Sequence, residues 1–114
     1  MHELSIICSI LDIIEEYAEK HRFNSVKSLK LSFGRLSCIE PQSLAFIFEI
    51  QSSGTKAVGA FLEFDIKPIV IQCFSCEKDF ELETYAAVCP QCNGSEVLLV
   101  GGTEVIQLLE IDVD

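Results

Sequence analysis

The sequence predicts an α+β fold: two helices on a small three-stranded sheet, interrupted by an inserted cysteine-rich module. Three observations predict it. An apolar stripe at helical spacing runs from Leu4 to about Arg22. Alternating apolar and polar residues recur at Lys27–Phe33, Phe61–Lys67 and Glu104–Val113, the pattern of half-buried strands. Between the last two lies a doubled cysteine pair, Cys73-Phe74-Ser75-Cys76 and Cys89-Pro90-Gln91-Cys92.

In the first helix, Leu4, Ile7, Cys8, Leu11, Ile14 and Ala18 fall on one stripe, widened by Ile10, Ile13 and Tyr17. Asp12, Glu15, Glu16, Glu19 and Lys20 take the other face. Cys8 reads as a small core hydrophobe. His21 and Arg22 complement the helix dipole, and Asn24 is the expected stop. In the first strand, Leu29, Leu31 and Phe33 point one way. Gly34-Arg35 breaks the alternation, and Cys38 packs in the connection. Glu40-Pro41 opens a second helix, with proline where its missing N–H costs nothing. Leu44, Ile47 and Phe48 are its buried stripe, and Ser52-Ser53-Gly54 ends it. Leu62, Phe64 and Ile66 are the inward residues of the next strand. Ile69 to Ile71 lead into the first cysteine pair. Asp79 to Glu83 and Val97 to Val100 are short ribbon strands, and Gly101-Gly102 loosens the chain before the closing strand. Pairing Phe61–Lys67 with Glu104–Val113 would bring the ends of the insertion together. The expected division is residues 1–70 plus 103–114 in the α+β domain and 71–102 in the insertion.

Two cysteines separated by two residues can turn both sulfurs toward one point, and a second pair completes a tetrahedron. Four soft thiolates in this arrangement suit structural Zn²⁺, which makes the insertion a zinc ribbon. Two disulfides or four buried thiols are the alternatives. Nothing at Met1-His2-Glu3 resembles a secretory signal, so a reducing cytoplasm is the expected compartment. The 114 residues are 49% hydrophobic, enough for one core. No apolar run reaches the roughly eighteen residues of a membrane span. Eight basic against eighteen acidic residues give a net charge of −10. That argues against nucleic acid, whose binding rests on neutralising phosphates, and favours cations or basic proteins as partners. No open metal position or acid–base pair points to an enzyme.

Met1-His2-Glu3 is the second candidate metal site. The α-amine, the His2 backbone nitrogen and its Nδ1 can close fused five- and six-membered chelate rings. A Glu3 donor can follow. Nitrogen donors in one plane suit square-planar Ni²⁺ or Cu²⁺. On residues alone, a solvent-exposed histidine at a frayed terminus is the stronger reading, since short motifs match often by chance.

Taken together, the stretches carry a resemblance. Met1-His2-Glu3-Leu4-Ser5 resembles the M-H-E-x-S opening of the HypA/HybF family of hydrogenase nickel-insertion proteins. The run from Leu31-Ser32-Phe33-Gly34-Arg35 to Glu40-Pro41 is similar to that family's strand-to-helix connection. Ser53-Gly54-Thr55, the two cysteine pairs and Gly101-Gly102-Thr103-Glu104 follow in the family's order, so the resemblance covers essentially the whole chain. Cys38 departs from it, standing where many members carry a small residue.

The resemblance implies a cytoplasmic nickel metallochaperone, not an enzyme. His2 would be the essential Ni(II) ligand, with Met1 and Glu3 completing the site. Zn(II) would be held by Cys73, Cys76, Cys89 and Cys92. It implies a HypB-type GTPase and the hydrogenase large subunit as partners, urease as a client of some members, and allows a homodimer. The competing function is a zinc-ribbon interaction module without nickel transfer.

Overall fold

The computed structural model describes residues 2–114, with side chains from Glu3 onward. Its elements are α1 (His2–His21), β1 (Val26–Gly34), a 3-10 turn (Arg35–Ser37), α2 (Pro41–Gln51), β2 (Phe61–Lys67), β3 (Ile69–Cys73), β4 (Lys78–Leu82), β5 (Val97–Gly101) and β6 (Gln107–Val113). Strands β2-β1-β6 form one sheet and β4-β3-β5 another. The chain groups into two compact units. One holds Met1–Leu31, Ile39–Asp65 and Gln107–Asp114, and the other Ser32–Cys38 and Ile66–Ile106.

In the first unit, the α1 stripe buries Ile7, Ile10, Leu11, Ile14 and Ala18. Leu4, Ile13 and Tyr17 border it and stay partly exposed. Cys8 is exposed, which corrects its reading as a core residue. At roughly 100° per residue it lies about a quarter-turn beyond the stripe's centre. The helix ends at His21, and Arg22 after it takes a left-handed φ of 58°, so the stop comes before Asn24. Helix α2 starts as its sequence predicts. Pro41 sits in the first turn and the Glu40 carboxylate caps it by accepting from Gln42 N–H at 3.3 Å. Leu44 and Phe48 are buried, and α2 packs against α1. The following turns are pinned to α1, where Glu15 accepts from Lys56 N–H at 3.2 Å and pairs with its ammonium at 3.7 Å.

The sheet order corrects one expectation. β2 and β6 do not pair, because β1 lies between them. Leu29, Leu31 and Phe33 are almost wholly buried, as a central strand requires. The edge strands are half-covered: Leu62 and Phe64 turn inward on β2, while Ile66 is exposed against expectation. Bonds from Asp114 N–H to Ser25 O and from Gly34 N–H to Glu104 O run β1 and β6 antiparallel.

Gly101-Gly102 does not loosen the chain either; both glycines are buried. Leu36 N–H donates to Gly102 O at 2.7 Å, and Gly34 N–H to Glu104 O at 2.9 Å. A side chain on Gly34 would collide with the Gly102 carbonyl. Gly102 itself takes φ +107°, and a Cβ there would meet the Ile69 backbone at 3.0 Å. These glycines let two stretches of backbone approach directly.

Candidate metal centre

The second sheet exists to bring four sulfurs together. β3 pairs with β4 antiparallel, from Ile69 opposite Leu82 to Cys73 opposite Lys78. The hairpin therefore carries Cys73 at the foot of its turn and Cys76 within it. β5 pairs on the other side of β3, and its Val97 lies opposite Cys73. Phe74 N–H continues that ladder to Glu96 O at 3.1 Å. The chain entering β5 thus delivers Cys89 and Cys92 to the same end. Ile69 and Ile71 are the buried apolar residues of β3, with Cys73 continuing the alternation.

Each cysteine pair forms the same tight turn. Glu77 N–H donates to Cys73 O, and Asn93 N–H to Cys89 O, both at 2.9 Å. The residue after each second cysteine is left-handed, with φ of 55° at Glu77 and 61° at Asn93. Within the turns, backbone amides aim at the first sulfur. Cys76 N–H points to Cys73 Sγ, and Gln91 and Cys92 N–H to Cys89 Sγ, each at 3.4 Å. Such N–H···S bonds favour a thiolate over a thiol.

The four sulfurs lie within 4.8 Å of one another. Cys73 and Cys92 approach to 3.8 Å, as do Cys76 and Cys89. A tetrahedron with metal–sulfur bonds of about 2.3 Å has edges of about 3.8 Å, so the donor set fits Zn²⁺ in size and softness. Cys73 and Cys89 are buried, Cys76 half-buried and Cys92 exposed. Burial and the surrounding thiols push Cys76 up to about 12. Burial also raises Cys89, but the Cys92 and Gln91 amides outweigh it and hold that thiol at about 7. The Gly94 amide and the Cys76 thiol lower Cys92, yet the Cys89 and Cys73 thiols and burial leave it raised. A cation among them would draw Cys76, Cys89 and Cys92, with their divided tendencies, together into the thiolate form.

The four predicted cysteines are thus brought together. Among the described residues they are the only cluster of three or more metal-ligating groups. Cys8 and Cys38 stand apart from it and are exposed; Cys38, expected to pack, sits at φ +64° just after the 3-10 turn. Of Met1-His2-Glu3, Met1 and the His2 side chain lie outside the described residues, and Glu3 is half-buried in the first turn of α1. Reading the sequence for ligands alone misses Glu77 and Asn93, whose backbones close the two turns. Asn93-Gly94 carries a turn signal in its residue types; Glu77 carries none beyond following a C-x-x-C.

Fold and site define the class: a small α+β protein with a four-cysteine metal-binding ribbon. The chain belongs to the HypA family, whose description, "Hydrogenase/urease nickel incorporation, metallochaperone, hypA", matches residues 1–113. It is 54% identical over 114 residues to the hydrogenase maturation factor HypA of Syntrophus aciditrophicus, covering all of both chains. It is 34% identical to the hydrogenase maturation factor HybF of Escherichia coli, covering 98% of this chain and all of that one. Its fold is similar to the solution structure of the nickel metallochaperone HypA from Helicobacter pylori, with TM-score 0.63 at 23% identity, covering 99% of this chain and 97% of the other. A second HypA solution structure gives a TM-score of 0.69. The residues described include no helix long and apolar enough to cross a membrane.

Proposed function

We propose that this chain is a nickel metallochaperone that carries Ni²⁺ to a [NiFe]-hydrogenase during its maturation, with urease as a second client class. The family match over residues 1–113 carries the reading. In it, residues 1–70 with 103–114 form the nickel-binding domain, and residues 71–102 the inserted zinc-binding domain. Cys73, Cys76, Cys89 and Cys92 hold Zn²⁺ as a scaffold, supported by the sulfur spacing above. Ni²⁺ is cargo, held by the Met1 amine, the His2 backbone nitrogen and imidazole, and a Glu3 donor. The protein acts in the cytoplasm, catalyses no reaction itself, and works with a HypB-type GTPase and the hydrogenase large subunit.

The division of labour follows from ligand chemistry. A closed set of four thiolates has no position at which an acceptor can enter, so its ion stays. Amine and imidazole nitrogens are labile donors, and protons compete for both near neutrality. The test is Ni²⁺ titration of the untagged, zinc-loaded chain, followed by square-planar absorption. One nickel should bind, and His2→Ala should abolish it while zinc content stays at one per chain. A zinc-ribbon interaction module would bind zinc alike in both proteins and nickel in neither. Wild-type nickel affinity in His2→Ala would move the cargo site elsewhere.

A further inference from the structure

One surface of the first unit belongs to neither metal reading. Strand β6 ends its sheet, so among the described residues one side of its backbone faces no neighbouring strand. Along it, Leu109, Ile111 and Val113 line a groove of about 680 Å³. Its other wall is Ile13, Tyr17 and Phe23, at and just beyond the C-terminal half of α1. Tyr17 is 43% exposed and Ile13 39%, although both lie on the margin of an otherwise buried stripe. Helix α1 therefore leaves apolar surface uncovered beside β6. The groove lies where the side chains of one further strand would go.

We propose that this edge accepts an extended segment of a partner protein, added to β6 as a fourth strand, with apolar residues alternating with Lys or Arg. Three observations fix the chemistry. First, Asp114 N–H bonds to Ser25 O across β1. By the alternation of an antiparallel pair, the amides of Val113, Ile111 and Leu109 then face the open edge, ready to pair with an incoming backbone. Second, the same three residues supply the groove's apolar side chains, so every second residue of the incoming strand must be apolar to fill it. Third, the residues between them on β6 are Glu110 and Asp112, with Asp114 beyond, all exposed. They alternate with the three apolar residues along the strand, Glu110 also bordering the groove, and so lie beside the alternate residues of the incoming strand. Opposite charges across strands stabilise the pair and like charges oppose it. A second copy of β6 in this position would set Glu110 and Asp112 against their own kind, so self-pairing is disfavoured. A net charge of −10 steers a basic segment to this surface.

The test uses the full, zinc-loaded chain and a fluorescent peptide of eight residues alternating valine and lysine, titrated by anisotropy. A valine–glutamate peptide is the control. The lysine peptide should bind saturably, at least tenfold tighter than the control, and weaken as salt rises. Ile111→Pro removes an amide that faces away from β1, a placement an edge strand tolerates. It should weaken binding tenfold or more. Glu110→Lys with Asp112→Lys touches only exposed side chains and should reverse the preference toward the glutamate peptide. Equal binding of the two peptides, or unchanged lysine-peptide binding by both variants in their folded state, overturns the proposal. So does a homodimer that Ile111→Pro dissolves, since β6 would then be covered by a second copy.

Discussion

Removing the ribbon's metal should unfold residues 66–106 and leave the first unit folded. The structure gives the magnitude. The fully buried aliphatic residues of β3 are Ile69 and Ile71. At about 1.5–3 kcal/mol each, their burial contributes about 3–6 kcal/mol. Structural zinc contributes roughly 10–16 kcal/mol in comparable small modules. The metal therefore outweighs the ribbon's aliphatic core across the whole of both ranges, in a segment near the roughly forty residues below which chains rarely fold unaided. The first unit has its own core: Ile7, Ile10, Leu11, Ile14, Ala18, Leu29, Leu31, Leu44 and Phe48. The perturbation is Cys76→Ala, which takes one sulfur from the tetrahedron. Zinc affinity should fall at least a hundredfold, since changes one shell further out already cost about 10–100-fold. Amide hydrogen exchange reads both units at once. Protection should disappear from β3, β4 and β5 in Cys76→Ala or on chelation, and persist in α1 and the 29–31 stretch of β1. Helical circular dichroism should change little. Retained protection at Ile69–Cys73 in a protein shown to be free of zinc would refute the reasoning.

Two further predictions rest on the same unit. Gly34→Ala drives a methyl into the Gly102 carbonyl and disturbs two backbone hydrogen bonds. Overpacking and lost bonding together should cost about 2–4 kcal/mol, read as a lower midpoint in urea unfolding with unchanged slope; a midpoint within error of the parent would contradict the close approach. Zinc uptake should release protons, because Cys76, pushed up to about 12, is a thiol at neutral pH and must ionise to bind. Cys89, near 7, is already largely thiolate at pH 8 but mostly protonated at pH 6. Proton release per zinc, measured calorimetrically in buffers of differing ionisation enthalpy, should therefore rise from pH 8 to pH 6, and apparent affinity should fall in the same direction. A constant proton count across that range would show that Cys89 does not titrate there.

What was legible in the chain was local. The stripe Ile7–Ile14, the alternation Leu29–Phe33, the Glu40-Pro41 helix start and the cysteine spacing each declare themselves within a few residues. What was not legible depends on partners distant in sequence. Alternation says that Phe61–Lys67 and Glu104–Val113 are strands, but not that β1 separates them. The completeness of burial at Leu29, Leu31 and Phe33 is the physical sign of a central strand, and it appears only once the neighbours are in place. Gly101-Gly102 looked like slack because the backbone it meets belongs to Gly34, far upstream. Cys8 was misread for a smaller reason: it borders the helical stripe, where a polarizable thiol is tolerated on either side.

The geometry of the cysteine cluster bears on where a cargo ion can be held. Its four sulfurs are spaced as the corners of one closed tetrahedron, and backbone amides already occupy the outer lone pairs of Cys73 and Cys89. An acceptor protein would have to break a chelate turn to reach that ion, and the turn's collapse would take β3 and β5 with it. Transfer needs the opposite: few protein ligands, an open side, and donors that a proton or a competing ligand can displace. Among the described residues no second cluster offers this. That is the chemical reason to look for the cargo at Met1-His2-Glu3, where a terminal amine and an imidazole are both displaceable near neutral pH. On this account the ribbon's metal and the cargo differ in kind. In the proposed function, zinc would fix a shape through soft ligands that do not exchange, and nickel would travel because its nitrogen ligands do.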